Sequence, residues 1–138
     1  MQLTRKYHFY AGHRNQELCD KCRNIHGHRY GVRVTFDLEQ IGCITVLFAE
    51  LDALVKPIID EYDHGMLIDI NDPLFKALRD FDPTLKFKVF DGPTSVENLV
   101  KKLYNEIRDR TGLNVYAVEV DETDSSTLRY TTDDVSNT

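Results

Sequence analysis

Apolar and polar positions alternate along two stretches near the start of the chain. Leu3, Tyr7, Phe9, Ala11 and His13 share the odd face of residues 3–13, with Arg5 as the exception. Tyr30, Val32, Val34, Phe36 and Leu38 share one face of residues 26–38, against Arg29, Arg33, Thr35 and Asp37. A period of two marks a half-buried strand. CITVLF, residues 43–48, is a short apolar run that reads as a third strand. The period then changes. Leu51, Leu54, Val55, Ile58, Ile59 and Tyr62 recur at three- and four-residue spacing and predict a helix over 49–62. Pro57 predicts a kink or early break in it. Residues 64–85, with Gly65, Pro73 and Pro83, read as loop with one helical turn near 73–80, and KFKVF at 86–90 reads as a strand.

The strongest helical pattern lies in GPTSVENLVKKLYNEIRDRTG, where Val96, Leu99, Val100, Leu103, Tyr104 and Ile107 form an apolar stripe. Thr94 to Glu97 fit a capping box, and Gly112 fits a stop. Tyr116, Val118 and Val120 alternate along a last strand. The order is strand, strand, a possible third strand, helix, loop, strand, helix, strand. It predicts an α+β fold with a largely antiparallel sheet and helices on one face. Residues 1–130 are expected to form one domain and the polar residues 131–138, TTDDVSNT, a frayed tail.

Composition narrows the function. At 138 residues the chain buries a core without needing cross-links. The 17 basic and 23 acidic residues give a formal charge of −6, which argues against a nucleic-acid partner. A local basic excess at Arg14, Lys21, Arg23, Arg29 and Arg33 suits a small anionic substrate. No apolar run approaches the ~20 residues needed to cross a bilayer. MQLTRKYHFY lacks the apolar segment of a signal peptide, so the expected setting is the cytoplasm, without a membrane partner. Thiols there stay reduced, so Cys19, Cys22 and Cys43 are expected as thiols or metal ligands.

Candidate chemistry centres on CRNIHGHRY. His26 and His28 project from the face that carries Tyr30 and Val32, and His13 from the face that carries Phe9. A single histidine on such a face is ordinarily a satisfied core residue. If the first two strands pair, however, three imidazoles converge at the edge of the core. Three imidazoles and an open position make a catalytic zinc arrangement. A structural site of Cys19, Cys22, His26 and His28 is the alternative, although its histidines are usually three to five residues apart. In the first case Cys22 is free for chemistry, with Arg23 favouring its thiolate. Asp63 beside His64 suits acid–base work. Glu122 extends the even face of the last strand, where a carboxylate fits two parallel N–H donors such as those of an aminopyrimidinone.

FYAGHR, CRNIHGHRYGVRV, FAELDALVKPIIDEYDHGML, PTSVENLV and VEVDET resemble, in order, blocks of the 6-pyruvoyl-tetrahydropterin synthase / 6-carboxy-tetrahydropterin synthase family. The C-x-x-x-H-G-H spacing resembles the bacterial 6-carboxy-tetrahydropterin synthases of the queuosine and 7-deazaguanine pathway. Leu47, Ile68 and the longer spacing in PTSVEN depart from the family pattern. The resemblance implies the tunnelling fold, an antiparallel sheet with two helices on one side, assembled into homo-oligomeric rings with sites between subunits. It implies Zn2+ on His13, His26 and His28, catalysis by Cys22, Asp63 and His64, and a pterin anchored by Glu122. Thr94 and Arg23 join the expected substrate contacts, with Arg14 and Arg29 as further triphosphate candidates. The implied substrate is 7,8-dihydroneopterin triphosphate, giving 6-carboxy-tetrahydropterin and acetaldehyde. A 6-pyruvoyl product and a silent zinc-containing pterin-binding module are the alternatives.

Overall fold

The computed structural model describes residues 1–16 and 18–137. Its elements are β1 (Gln2–His13), β2 (His26–Asp37), α1 (Phe48–Asp60), β3 (Gly65–Asp69), α2 (Pro73–Phe81), β4 (Phe87–Phe90), α3 (Val96–Thr111), β5 (Val115–Thr123), β6 (Ser126–Thr131) and α4 (Thr132–Ser136). The strands form a six-stranded sheet in the order β4-β3-β1-β2-β5-β6. Among these residues no helix is long and apolar enough to cross a membrane.

The two alternating stretches pair antiparallel from Gln2 opposite Asp37 to His13 opposite His26. Their apolar faces turn inward. Phe9, Tyr30, Val34 and Phe36 are fully buried, and the Phe9 and Tyr30 rings stack at 4.9 Å. Two helices cover that face: α1 through Leu51, Val55, Ile58 and Ile59, and α3 through Leu99, Val100, Leu103, Tyr104 and Ile107. Pro57 does not break α1. It lies on the exposed side of the helix, where a backbone carbonyl that loses its partner is solvated.

The sheet departs from the predicted architecture on one side. β1 pairs parallel with β3, and β3 parallel with β4, so the sheet is mixed. Helix connections between these strands make parallel pairing possible. β3 lay within the expected loop. Leu67 and Ile68 are both buried, so its two faces are covered and no alternation marks it. CITVLF is not a strand: Ile41 and Ile44 form an isolated bridge across a turn that needs Gly42 at φ 67°, and Phe48 opens α1. β6 and α4 also lie beyond the predicted elements. α4 opens on a capping box between Thr131 and Asp134.

At the start of α3 the cap is Ser95, whose hydroxyl accepts from the Asn98 N–H. The expected Thr94–Glu97 capping box is therefore replaced by a single side-chain cap one residue along, and Thr94 is turned inward, 1% exposed.

A candidate metal and pterin site

Cross-strand register builds the site. His13 and His26 are direct partners at the end of the β1–β2 ladder, and His28 stands opposite Ala11. With side chains alternating, all three imidazoles lie on the core face. Gly27 between the two β2 histidines faces the other way, and a Cβ there would come within 3.3 Å of the Ala11 carbonyl oxygen. The ligand atoms of the three histidines lie within 4.8 Å of one another.

The hydrogen bonds assign the tautomers. His13 Nδ1 is 3.1 Å from the Thr94 carbonyl, and His26 Nδ1 is 2.7 Å from the Asn24 carbonyl. A carbonyl only accepts, so each Nδ1 carries the proton. In the neutral rings both Nε2 atoms then bear lone pairs, and they face each other at 3.1 Å. His28 Nε2 is buried without a hydrogen-bond partner among the described residues. Glu122 Oε1 lies 3.2 Å from it, close enough for charge attraction but outside hydrogen-bond geometry. Burial, reinforced by His26 and His28, pushes the His13 imidazole down to about 4 against the Thr94 carbonyl. Burial also lowers His28, opposed by Glu122. Three imidazoles converging on one point, with the Nε2 atoms of His13 and His26 facing each other, fit a divalent cation, which removes the conflict between those two.

Glu122, on β5, thus lies beside His28. It also lines a cavity of about 280 Å³ with Glu97, Thr123 and Thr127. Asp63 and His64 form a second pair, Oδ2 to Nδ1 at 2.7 Å. The Tyr10 N–H donating to Asp63 Oδ1, helped by His64, holds the Asp63 carboxyl below its usual range. This pair sits against the Tyr10 ring, 6.1 Å from His64, on the outer side of β1. Among the described residues His64 has no ring contact with His13, His26 or His28.

Several expectations are corrected. Cys22 is not a free thiol: its sulfur is bonded to Cys19. The turn explains it, since the Cys22 N–H donates to the Cys19 carbonyl at 3.1 Å and brings the two Cα atoms to 5.1 Å. Bridged cysteines are also unavailable to the alternative zinc site with His26 and His28. Thr94 is not open to a substrate but contacts His13, at 3.2 Å from its hydroxyl to Nδ1. Arg14 is committed to Asp72, donating from Nε at 2.9 Å and also from Nη2. Arg23 and Arg29 are exposed. Cys43 is exposed as well. Asn15 was missed. A loop asparagine reads as a turn residue, yet it is 7% exposed and bonded to Thr94.

Tyr30 adds a test of how the site is packed. Its ring stands 5.5 Å from His28, and its hydroxyl is buried with no protein partner among the described residues. Burial, then Glu122, raises its pKa. Tyr30→Phe keeps the stacked ring and removes a polar group that gains nothing from burial. Denaturant unfolding of the metal-free protein is expected to show no loss of stability, or a gain of up to ~1 kcal/mol. A loss above that size means that the hydroxyl has a partner.

Known proteins match this arrangement. The model of the 6-pyruvoyl tetrahydropterin synthase family matches residues 2–133. The 6-carboxy-5,6,7,8-tetrahydropterin synthase of Aquifex aeolicus is 28% identical over 130 residues, covering 79% of this chain and 80% of its own. That of Rickettsia bellii is 30% identical over 112 residues, covering 78% and 80%. Among solved structures, an uncharacterized protein of Wolinella succinogenes superposes with a TM-score of 0.80 at 23% identity, over 96% of this chain and 98% of that one. The Caenorhabditis elegans 6-pyruvoyl tetrahydropterin synthase does so with 0.69 at 20% identity, over 95% and 94%. The fold is thus the tunnelling fold, α+β. With its sheet and its sequence both matching, the chain belongs to the 6-pyruvoyl tetrahydropterin synthase family of enzymes.

Proposed function

We propose that the protein is a zinc-dependent 6-carboxy-tetrahydropterin synthase. With water, it converts 7,8-dihydroneopterin triphosphate to 6-carboxy-5,6,7,8-tetrahydropterin, acetaldehyde and triphosphate, in the queuosine/7-deazaguanine route. One observation carries the reading: three imidazoles converge with the Glu122 carboxylate beside them. The names of the relatives in Aquifex aeolicus and Rickettsia bellii point to the carbon-cleaving product.

His13, His26 and His28 would hold the zinc, which supplies Lewis acidity to side-chain oxygens of the substrate. The Glu122 carboxylate accepts two N–H donors from the aminopyrimidinone edge and orients the pterin ring. Cys22, once reduced, removes a proton from the substrate carbon as its thiolate. Asp63, kept ionised, orients His64 for proton transfer. Because Asp63 and His64 stand on the outer side of β1, away from the three imidazoles, we assign them to the site of a neighbouring copy in a homo-oligomer. Arg23 and Arg29 remain for the triphosphate, whereas Arg14 is neutralised by Asp72.

The test is to incubate reduced, zinc-loaded protein with 7,8-dihydroneopterin triphosphate and weigh the products. A 6-carboxy-tetrahydropterin mass with acetaldehyde is the expected result. A 6-pyruvoyl mass keeps the site and changes the reaction. Zinc and pterin binding without turnover would leave a binding module.

A further inference from the structure

We propose that Asn15 is a positioning residue for the metal site. Through Thr94 it holds His13 in the tautomer that offers Nε2 to a cation, and its own backbone ties the Cys22 turn to the same place. The proposal rests on reading His13, His26 and His28 as a zinc site.

The relay has a definite direction. His13 Nδ1 faces both the Thr94 carbonyl, at 3.1 Å, and the Thr94 hydroxyl, at 3.2 Å. The carbonyl requires a proton on Nδ1, so the hydroxyl in this contact accepts. Its own hydrogen goes to Asn15 Oδ1, 3.2 Å away, a shorter contact than its 3.4 Å approach to the Arg14 carbonyl. Asn15 Oδ1 also accepts from the Thr94 N–H at 2.9 Å. A peptide N–H only donates, which fixes the amide of Asn15 with its oxygen toward Thr94. All three residues are buried: His13 is 2%, Asn15 7% and Thr94 1% exposed. On its other side, the Asn15 N–H donates to the Cys22 carbonyl at 2.6 Å.

Thr94 immediately precedes Ser95, the cap of α3, and α3 is anchored by five buried side chains. The chain of bonds therefore references one imidazole to the rigid helix that covers the sheet. Groups that bond the outer nitrogen of a metal-binding histidine set its tautomer and orientation, and their loss costs metal affinity. A bland role is also open to Asn15, as a turn anchor only. The two differ in what zinc senses.

Zinc affinity of the reduced full-length protein is measured by competition with a chromophoric chelator, on samples shown to be folded by circular dichroism. Asn15→Leu removes the acceptor, and zinc is expected to bind ~10–100-fold more weakly. Asn15→Asp keeps an oxygen for both Thr94 donors and is expected within about threefold of the parent, because the hydrogen bonds that set the tautomer survive. Thr94→Val keeps the carbonyl and removes the hydroxyl; a loss of about 3–10-fold is expected, smaller than for Asn15→Leu because one of the two contacts survives. If Asn15→Leu does not fold, Thr94→Val against Asn15→Asp decides alone. A parent that binds zinc, with Thr94→Val and every folded Asn15 variant within twofold of it, overturns the positioning role and leaves the zinc site standing. A parent that binds no zinc overturns both.

Discussion

Protein prepared without reductant is expected to show no turnover of 7,8-dihydroneopterin triphosphate, and a dithiol reductant to restore it. The reason is the sulfur–sulfur bond between Cys19 and Cys22. A bridged sulfur has no lone proton-accepting thiolate to offer, and loss of a positioned base lowers turnover by ~10²–10⁴-fold. Cys19 is exposed and Cys22 partly so, which leaves the bridge open to exchange with an external dithiol. In that exchange two thiols of the reductant are oxidised to a disulfide as the bridge becomes two thiols. Wherever the surroundings keep thiols reduced, the open form is the working one. Two variants separate the roles of the sulfurs. Cys19→Ser is expected to be active with or without reductant, since Cys22 then has no partner. Cys22→Ser is expected to be inactive in both conditions while retaining its zinc. Full activity of protein whose mass shows the bridge intact would falsify a base role for Cys22.

His26→Ala is expected to abolish stoichiometric zinc. Structural zinc sites supply ~10–16 kcal/mol, so one ligand of three is worth about 3–5 kcal/mol, or ~10²–10⁴-fold in affinity. The variant should return from dialysis against a weak chelator essentially metal-free, by elemental analysis, where the parent keeps one equivalent. His13→Ala and His28→Ala should behave alike, because the ligand atoms of all three rings converge. Cys19→Ser is the control. It separates this site from a cysteine-containing one, which would lose zinc with Cys19. Retention of zinc by His13→Ala together with its loss from Cys19→Ser would reverse the assignment, since His26 and His28 are common to both sites.

The histidine cluster was legible in the sequence because two regularities coincide. Alternation puts His13 on the face of Phe9 and His26 and His28 on that of Tyr30, and an antiparallel hairpin register then brings the faces together. Helix α3 announced itself by a one-sided apolar stripe. What failed to show has physical reasons. β3 is covered on both faces at Leu67 and Ile68, so it lacks a period. β6, at the sheet edge, has Leu128 and Tyr130 only partly buried and reads as polar chain. CITVLF has the composition of a strand but no neighbour to pair with. The C-x-x-C spacing was visible, whereas its oxidation state depends on a turn conformation that spacing does not encode. Asn15 and Thr94 meet across 79 residues, and neither bears a local sign of the other.

The sheet order has a consequence for how the site breathes. β1 and β2 are interior strands, flanked by β3 on one side and β5 on the other. Fraying that begins at either margin must unzip two strands before it reaches β1 or β2. The turn bearing Cys19 and Cys22 has no such flanks; the Asn15–Cys22 bond is its link back to the ladder. Local opening is therefore expected to cost less at the sulfurs than at the imidazoles. The sulfur pair is thus open to solvent reagents on faster fluctuations than those that part the three imidazoles.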